Sequence, residues 1–277
     1  MQLQEFSYEL PEQAIALHPP KVRGGSRLLA LNRTNGEITD TLYKDVGEYL
    51  RAGDVLVINN TKVIPARLNA KTADGAEREL LLLEQHGKVA DHHTSLVMYR
   101  RKIRAGQELT VGDVVVRVDE VFDNGTAQIS SQHDLWQLAE EQGEVPVPPY
   151  MHRREEREDR ERYQTEFAKT NGSVAAPTAS LNLTSELLAQ LQAKGVIVVE
   201  LTLHVGLGTF MPIRVDDVTK HKMHQEYFVI PSNTVKTIRQ AKQEGRRVIA
   251  VGTTVTRTLE YAAKDILEGA ESVTAGE

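Results

Sequence analysis

A loop with two closely spaced glycines follows an apolar run in the segment Thr202-Leu-His-Val-Gly-Leu-Gly-Thr-Phe210. Gly206 and Gly208 would let the backbone of this loop approach a ligand, because glycine has no Cβ. A dinucleotide-binding fingerprint needs a third glycine where Met211 stands, so a Rossmann site is excluded. The sequence also lacks the P-loop pattern. His204 is predicted to be either a core histidine with satisfied hydrogen bonds or a polar group aimed into a cleft.

Two histidines and a carboxylate form a second cluster, made of His221, His224 and Glu226. On a helical turn the two histidines could face the same way, so an alternative is that they bind a metal ion together. A metal site needs further ligands, however, and the Glu-x-x-His and His-Glu-x-x-His patterns are missing. The apolar run at 227–230 indicates entry into a strand instead. The cluster is therefore predicted to do general acid–base chemistry or to hydrogen-bond a substrate.

Two threonines, Thr253 and Thr254, stand between a buried-type strand and a helix. Such a turn offers two hydroxyls and free amide groups, so it predicts a cradle for an anion or a carboxylate. The alternative is that Thr254 or Thr256 merely caps the helix. Arg257, one turn into this helix, could pair with an acid.

A pair of asparagines, Asn59 and Asn60, follows another apolar run, and adjacent asparagines in that position predict a turn. Arg67 lies just before the part of the sequence in which short, closely spaced strand patterns begin. Its bidentate guanidinium could hold a phosphate or a carboxylate at this junction.

Basic residues are concentrated in two segments. The cluster of Arg100, Arg101, Lys102 and Arg104 is a weak nucleic-acid signal, because surface hairpins often carry such runs. In segment 151–163, five arginines are interleaved with five acidic residues. This pattern predicts a solvated helix with many ion pairs, with contact to a phosphate backbone as the alternative.

Alternating apolar residues between turn signals predict the strands. Early strands are expected at 28–32 and 55–59, and a tighter series at 79–84, 94–99, 108–111, 114–121 and 126–130. Asn124-Gly125 between two of these runs is a strong hairpin signal. We therefore predict a small antiparallel barrel or sandwich, inserted into the chain rather than appended to it.

The remaining chain alternates helix and strand. Helices are predicted near 11–17, at 134–142, 185–194, 232–245 and 256–268, and buried strands at 196–205 and 248–251. This order is typical of an α/β fold with parallel strand pairing.

Composition narrows the function classes. The 277 residues carry 33 basic and 39 acidic side chains, a net charge of −6, which excludes a globally basic nucleic-acid coat. The absence of cysteine excludes disulfides, thiolate metal sites and a cysteine nucleophile, and fits a reducing cytoplasm. We expect no signal peptide and no membrane span.

Taken together, these motifs resemble the S-adenosylmethionine:tRNA ribosyltransferase-isomerase family of queuosine biosynthesis. The resemblance extends over essentially the whole chain and is carried by a series of segments in a fixed order. They are Leu10-Pro-Glu-Gln-Ala-Ile-Ala, Ser26-Arg-Leu-Leu, Asn59-Asn-Thr-Lys-Val-Ile-Pro-Ala-Arg-Leu, Pro146-Val-Pro-Pro-Tyr, Arg162-Tyr-Gln-Thr, Val174-Ala-Ala-Pro-Thr-Ala, Thr202-Leu-His-Val-Gly-Leu-Gly-Thr-Phe, Met223-His-Gln-Glu-Tyr and Val251-Gly-Thr-Thr.

The resemblance implies both a fold and a reaction. It implies a large, barrel-like α/β domain at 1–66 and 150–277 with a small antiparallel β-barrel domain inserted at 67–149. It further implies transfer and isomerisation of the ribosyl group of S-adenosylmethionine onto 7-aminomethyl-7-deazaguanine at the tRNA wobble position, with release of adenine and methionine. No metal or other cofactor is expected, and we expect a cytoplasmic monomer.

Residue roles are assigned by chemical type within this resemblance. Catalytic roles fall to His204, His224 and Glu226. Substrate binding is expected of Arg67, Thr178, Gly206, Gly208, Thr209, Thr253, Thr254 and Arg257. Binding of tRNA is expected of Arg100, Arg101, Lys102 and Arg104.

The chain also departs from the family pattern. Ser180-Leu-Asn-Leu183 stands where family members usually have Gly-Leu-His-Phe, so a titratable histidine is replaced by Asn182. Family members also continue beyond the position of Glu277. Two functions are therefore expected as alternatives: the active enzyme, or a truncated or divergent paralogue that binds a nucleoside or RNA without this catalysis.

Overall fold

The computed structural model describes residues 1–83, 92–148, 151, 153, 155–206, 208, 213 and 215–275. The strands are β1 Arg27–Leu31, β2 Ile38–Leu42, β3 Val55–Asn59, β4 Thr61–Val63, β5 Arg67–Lys71, β6 Glu77–Leu82, β7 Thr94–Arg100, β8 Glu108–Val111, β9 Val114–Val121, β10 Thr126–Ser130, β11 Thr170–Ser173, β12 Ile197–Leu203, β13 Phe228–Ile230, β14 Val248–Ala250 and β15 Val273–Ala275. The α-helices are α1 Leu135–Gln142, α2 Asp159–Arg162, α3 Ser185–Ala193, α4 Ser232–Gln243 and α5 Gly252–Glu268. Short 3-10 helices cover Leu3–Phe6, Glu12–Ala14, Tyr43–Tyr49, Thr178–Ser180 and Val218–Lys220.

A five-stranded sheet with the order β14-β3-β12-β13-β15 forms the centre of the large domain. Strand β3 pairs in parallel with both β12 and β14, as the sequence predicted, and β13 pairs antiparallel with β12 and β15. Beside it, β4 and β11 form a parallel pair and β1 and β2 a hairpin. The α/β class is therefore confirmed.

Helices cover both faces of this sheet. Val55 and Val57 of β3 pack in one apolar cluster with residues of α4 and α5. Leu56 and Ile58, which alternate with them, pack in another cluster with residues of α3. Because both faces are covered, β3 is buried along its whole length, which explains its continuous apolar sequence.

The predicted small barrel is confirmed as a closed antiparallel barrel with the order β10-β7-β6-β5-β8-β9. Its interior is filled by alternating apolar residues, with α1 packed against it. The hairpin at Asn124-Gly125 joins β9 to β10, and Gly125 has the positive φ of 85° that such turns require. Strand β5 was not predicted separately.

The chain enters and leaves the barrel at neighbouring positions. Arg67 at the start of β5 and Glu144 after α1 exchange two backbone hydrogen bonds, of 3.0 and 2.8 Å. Gly143 lies so close to Pro65 that an added Cβ would sit 1.9 Å from its carbonyl oxygen. This arrangement is compatible with an insertion, and the domain boundaries stay a prediction.

Three helix predictions need correction. Among its described residues, segment 151–163 has one α-helix, the four-residue α2, so the long helix predicted there is wrong. The predicted ion pairs are present, because Arg153 pairs with Asp159 and Arg160 with Glu155, but Arg162 donates instead to the carbonyl of Pro20. The predicted helix near 11–17 is a single 3-10 turn, Glu12–Ala14. Helix α5 begins at Gly252, before the predicted start, so the threonine pair lies in its first turn. No described helix is long and apolar enough to cross a membrane.

The predicted turn at Asn59-Asn60 has the form of an Asx-turn, because the side chain of Asn59 accepts a hydrogen bond from the backbone N–H two residues on. Asn59 also ends β3 and joins strand ends through the same side chain. Its Oδ1 accepts the backbone N–H groups of Thr61 and Leu203, at 3.1 and 3.0 Å. Its Nδ2 donates to the carbonyl of Leu203 at 2.9 Å and to Oγ1 of Thr254 at 3.3 Å. The side chain is fully buried and satisfies both its donors and its acceptor.

Replacing this amide should destabilise the large domain. Asn59→Ala leaves buried backbone groups without partners, each of which costs about 1–3 kcal/mol, so we expect a loss of about 3 kcal/mol in the free energy of unfolding by urea. The matched control is Asn60→Ala, which removes half-buried bonds to Glu200 and Thr202 and should cost about 1 kcal/mol. Equal losses for the two variants would contradict the special role of Asn59.

Candidate active site

A cleft of about 400 Å³ opens at the carboxyl edge of the sheet. Strands β12 and β14 lie on either side of β3 and run parallel to it, so their carboxyl ends meet at this edge, which is where open α/β sheets bind ligands. Loops from these ends supply the walls. The lining residues are Val205, Gly208, His221, Met223, His224, Glu226, Thr253, Thr254 and Arg257.

The first turn of α5 forms one wall. Val251 precedes the helix and provides no side-chain cap, so the predicted alternative that a threonine caps this helix is wrong. Thr254 is instead held by Asn59, and the hydroxyl of Thr256 donates to the carbonyl of Gly252. Amide groups of a first helical turn lack intrahelical partners and carry the positive end of the helix dipole, so this wall suits an anion.

An ion pair between α5 and the segment that precedes β13 also lines the cleft. Arg257 donates hydrogen bonds to the carboxylate of Glu226 and to the backbone carbonyl of His224. The backbone N–H of Gly206 donates to the other carboxylate oxygen of Glu226 at 3.3 Å. Burial raises the pKa of Glu226, and the nearby charge of Arg257 opposes this rise. The prediction that Arg257 pairs with an acid is therefore confirmed.

Gly208 packs directly on His224. A Cβ added to this glycine would lie 2.9 Å from Cβ of His224 and 3.0 Å from its Cδ2, which real side chains do not tolerate. The second glycine of the loop therefore allows close contact with the histidine ring.

The two histidines of the predicted cluster both line the cleft, although not from a helical turn. His221 follows the 3-10 helix Val218–Lys220, and the chain from there to Tyr227 is irregular. Across the described part of the chain, no group of three histidine, aspartate or glutamate side chains could hold a metal ion.

His204 lies behind the cleft, in the core. It is 3% exposed, and its Nδ1 is 2.6 Å from the hydroxyl of Thr61. Its ring stacks on Tyr227, with centroids 6.0 Å apart and planes 12° apart, and a Cβ on Gly172 would lie 2.9 Å from its Nε2. Burial lowers the pKa of His204 to about 4, so the ring is neutral at pH 7. Of the two predicted alternatives, this burial and the contact with Thr61 favour the core histidine.

Several predicted site residues lie away from the cleft. Arg67 is largely buried, 3.5 Å from the carboxylate of Glu79 and 3.3 Å from the carbonyl of Val147, where it fixes the barrel to the following segment. Thr178 lines a separate cavity. Thr209 lies outside the described residues.

The predicted RNA-binding residues lie on the barrel, at the last residue of β7 and just after it. Arg100, Arg101, Lys102 and Arg104 are all exposed. Arg100 lies 3.6 Å from Glu79, and Arg101 donates a long hydrogen bond of 3.5 Å to the carbonyl of Glu77. Their charges are thus largely open to solvent.

Sequence reasoning missed the residues that support the site. Asn59 and Thr61 were assigned to a turn or to no role, yet they hold Thr254 and His204. Met223 lines the cleft and was not predicted. A signal was available for Asn59, since a polar residue that closes a continuous apolar strand must have buried partners.

A family model described as "Queuosine biosynthesis protein" matches residues 3–276. The chain is 49% identical over 270 residues to the S-adenosylmethionine:tRNA ribosyltransferase-isomerase of Chlorobium chlorochromatii, covering 97% of this chain and 78% of the relative. It is 45% identical to the protein of the same name from Desulfitobacterium hafniense, covering 99% of this chain and 81% of the relative.

A solved structure is also similar. The crystal structure of S-adenosylmethionine tRNA ribosyltransferase from Thermotoga maritima is 31% identical in sequence, with a TM-score of 0.47. The match covers 99% of this chain and 77% of that one.

The neutral, buried His204 predicts a specific loss of stability in acid. Because its pKa is lower in the folded chain than the ordinary 6.5, its contribution is complete above pH 6.5 and is lost as the pH falls towards 4. The asparagine of His204→Asn cannot titrate. When the pH is lowered from 7 to 4.5, the free energy of unfolding of this variant should therefore fall by on the order of 2 kcal/mol less than that of the wild type.

The control for this experiment is His133→Asn, at an exposed histidine of the barrel region. It should keep the wild-type dependence of stability on pH. Identical pH dependence in the wild type and His204→Asn would show that His204 is charged or accessible in the folded chain.

Proposed function

The chain belongs to the S-adenosylmethionine:tRNA ribosyltransferase-isomerase family of queuosine biosynthesis, and we propose that the cleft at the carboxyl edge of its sheet binds S-adenosylmethionine. The observation that carries this proposal is the pairing of an anion-binding helix start with a buried carboxylate across one cleft. A zwitterionic sulfonium substrate needs both, since it carries a carboxylate and a positive charge.

The methionine carboxylate fits the first turn of α5. Thr253 and Thr254 supply hydroxyls beside the free amide groups, and the bond from Asn59 orients the second of them. Hydrogen bonds from such amide groups to a carboxylate are charge-assisted, which makes them stronger than neutral ones.

The sulfonium end then faces Glu226 and Arg257. A carboxylate held by Arg257 and by the N–H of Gly206 cannot turn away, so its negative charge stays fixed where the substrate is positive. Electrostatic groups that are already oriented before the reaction contribute strongly to catalysis.

The reaction needs a base that removes a proton beside the sulfonium, and we assign that role to His224. It lines the cleft, whereas His204 is buried behind it. Arg257 holds the backbone carbonyl of His224 and Gly208 packs against its ring, so the ring is positioned from two sides. His204 acts by supporting Tyr227 and the strand end rather than by touching the substrate.

Adenine and methionine are then released from S-adenosylmethionine. The ribosyl group is isomerised and joined to the amine of 7-aminomethyl-7-deazaguanine at the tRNA wobble position. We infer a cytoplasmic enzyme from its tRNA substrate. We also propose that the protein is a monomer and that the reaction uses no metal or other cofactor.

Contact with tRNA is proposed at the exposed basic cluster of the barrel, at Arg100, Arg101, Lys102 and Arg104. The chain is acidic overall, so a local patch must supply the attraction to phosphate. The largely solvent-exposed charges of these residues support this proposal.

Removing the proposed base should abolish turnover without preventing binding. His224→Ala should lower the single-turnover rate of adenine release by about 10²–10⁴-fold, the usual contribution of a general base. The dissociation constant for S-adenosylmethionine, measured by calorimetry, should change by less than about threefold. His133→Ala is the matched control, and full turnover by His224→Ala would exclude the assignment.

Neutralising the basic cluster should weaken tRNA binding in a salt-dependent way. For Arg101→Ala with Lys102→Ala, the slope of log affinity against log salt should fall by about 0.7–0.9 for each lost phosphate contact. Lys236→Ala, at an exposed position of α4, should leave the slope unchanged. An unchanged slope in the double variant would mean that the RNA binds elsewhere.

A further inference from the structure

A second cavity of about 230 Å³ lies apart from the cleft. Its walls come from the N-terminal segment 16–26, from Val147, from described residues between 151 and 163, and from segment 178–182. Pockets for drug-sized ligands range over roughly 300–1,000 Å³, so this cavity suits a smaller group, of the size of a single heterocyclic base.

Three arginines fix the walls of the second cavity. Arg23 donates to the carbonyls of Gln164 and Leu181 at 2.8 and 3.0 Å, which ties the N-terminal segment to these two positions. Arg162 donates to the carbonyl of Pro20 at 2.8 Å, and Arg153 to that of Leu17 at 2.8 Å. The cavity is therefore formed before any ligand binds.

The lining of the second cavity has the chemistry of a base-recognition site. Proteins bind unstacked RNA bases by stacking them on aromatic rings or guanidinium planes and by hydrogen-bonding their edges. Here Tyr163 and Arg162 provide such planes, and Thr178 and Asn182 provide a hydroxyl and an amide. The buried Nε of Arg162 has no hydrogen-bond partner among the residues that the structure describes.

One short segment lies between the second cavity and the cleft. The 3-10 helix Thr178–Ser180 contributes Thr178 to the second cavity, while its Ala179 contacts the start of α5. An added Cβ on Gly252 would lie 3.0 Å from Cβ of Ala179. Thr253, the next residue, lines the cleft. A ligand in each cavity would thus lie on either side of the same segment.

We propose that the second cavity receives the nucleobase of the tRNA that accepts the ribosyl group, with Asn182 and Thr178 hydrogen-bonding its edge. The inference rests on the proposed function, because it assigns the second substrate of the same reaction. An enzyme that acts on a base must hold that base outside the stack, and a preformed cavity beside the donor site does this.

The test uses the full chain and measures adenine release at varied concentrations of each substrate. Asn182→Ala and Thr178→Val should each raise the KM for tRNA about tenfold, the effect of about one lost hydrogen bond, with the KM for S-adenosylmethionine changed less than about twofold. Ala16→Trp, at an exposed position on the rim, should fill the cavity and raise the KM for tRNA at least as much. Asn233→Ala, at an exposed position of α4, is the control for all three.

A binding measurement separates recognition of the base from a structural defect. Wild-type chain should bind tRNA that carries 7-aminomethyl-7-deazaguanine more tightly than the same tRNA with an abasic wobble position. The cavity variants should lose this difference while keeping wild-type affinity for the abasic tRNA, because phosphate contacts remain.

Two outcomes would overturn the inference. A rise in the KM for S-adenosylmethionine alone would mean that the cavity holds the donor's adenine, and unchanged constants for both substrates would mean that it holds neither. If the wild type releases no adenine, the proposed function fails. The abasic comparison still tests the base pocket in that case.

Discussion

Four hydrogen bonds to the buried amide of Asn59 join the ends of β3 and β12 to the first turn of α5. The cleft lies against this junction, so the amide sets the distance between the helix start and the loop that follows β12. An amide suits this position because it supplies donors and an acceptor without a charge, and a charge would be costly in a fully buried place. The geometry of the site therefore depends on the packing of the sheet.

The charged groups of the cleft are positioned by the same junction of strand ends and helix start. Thr254 is oriented by Asn59, and Arg257, one turn further along α5, holds Glu226 and the backbone of His224. The neutral ring of His204 fills the space behind them and stacks on Tyr227, the neighbour of Glu226. The bonds of Arg257 thus fix Glu226 and His224 relative to α5, and catalysis by oriented charges requires such fixed positions.

Much of this architecture could be predicted from the sequence, because it depends on local patterns. Period-two alternation and the Asn124-Gly125 turn predicted the barrel hairpin, and the short apolar run at 55–59 predicted the strand β3. Glycine spacing predicted a close backbone approach to a ligand, and in the structure Gly208 makes a close approach to His224. His224, Glu226, Thr253, Thr254 and Arg257 were also predicted as site residues, from the cluster of titratable side chains before β13 and from the threonine pair between a strand and a helix.

The failures share a cause, which is that long-range partners decide the role of a polar side chain. The turn at Asn59 was predicted, but its role in the site was missed because its other partners lie 144 and 195 residues away. The arginines of segment 151–163 suggested a helix with ion pairs. Two ion pairs are present, yet Arg153 and Arg162 also bind carbonyls of the N-terminal segment. Arg67 was expected to hold a ligand and instead joins the barrel to the segment that follows it. Local spacing contains no information on such contacts.

The central claim is that S-adenosylmethionine lies in the cleft between the first turn of α5 and Glu226. A crystal structure of the chain with S-adenosylmethionine tests it most directly. The account predicts that the methionine carboxylate lies within hydrogen-bond distance of the amide groups of Thr253 and Thr254, with the sulfonium on the side of Glu226. Electron density for the donor in the second cavity, with the cleft empty, would contradict it.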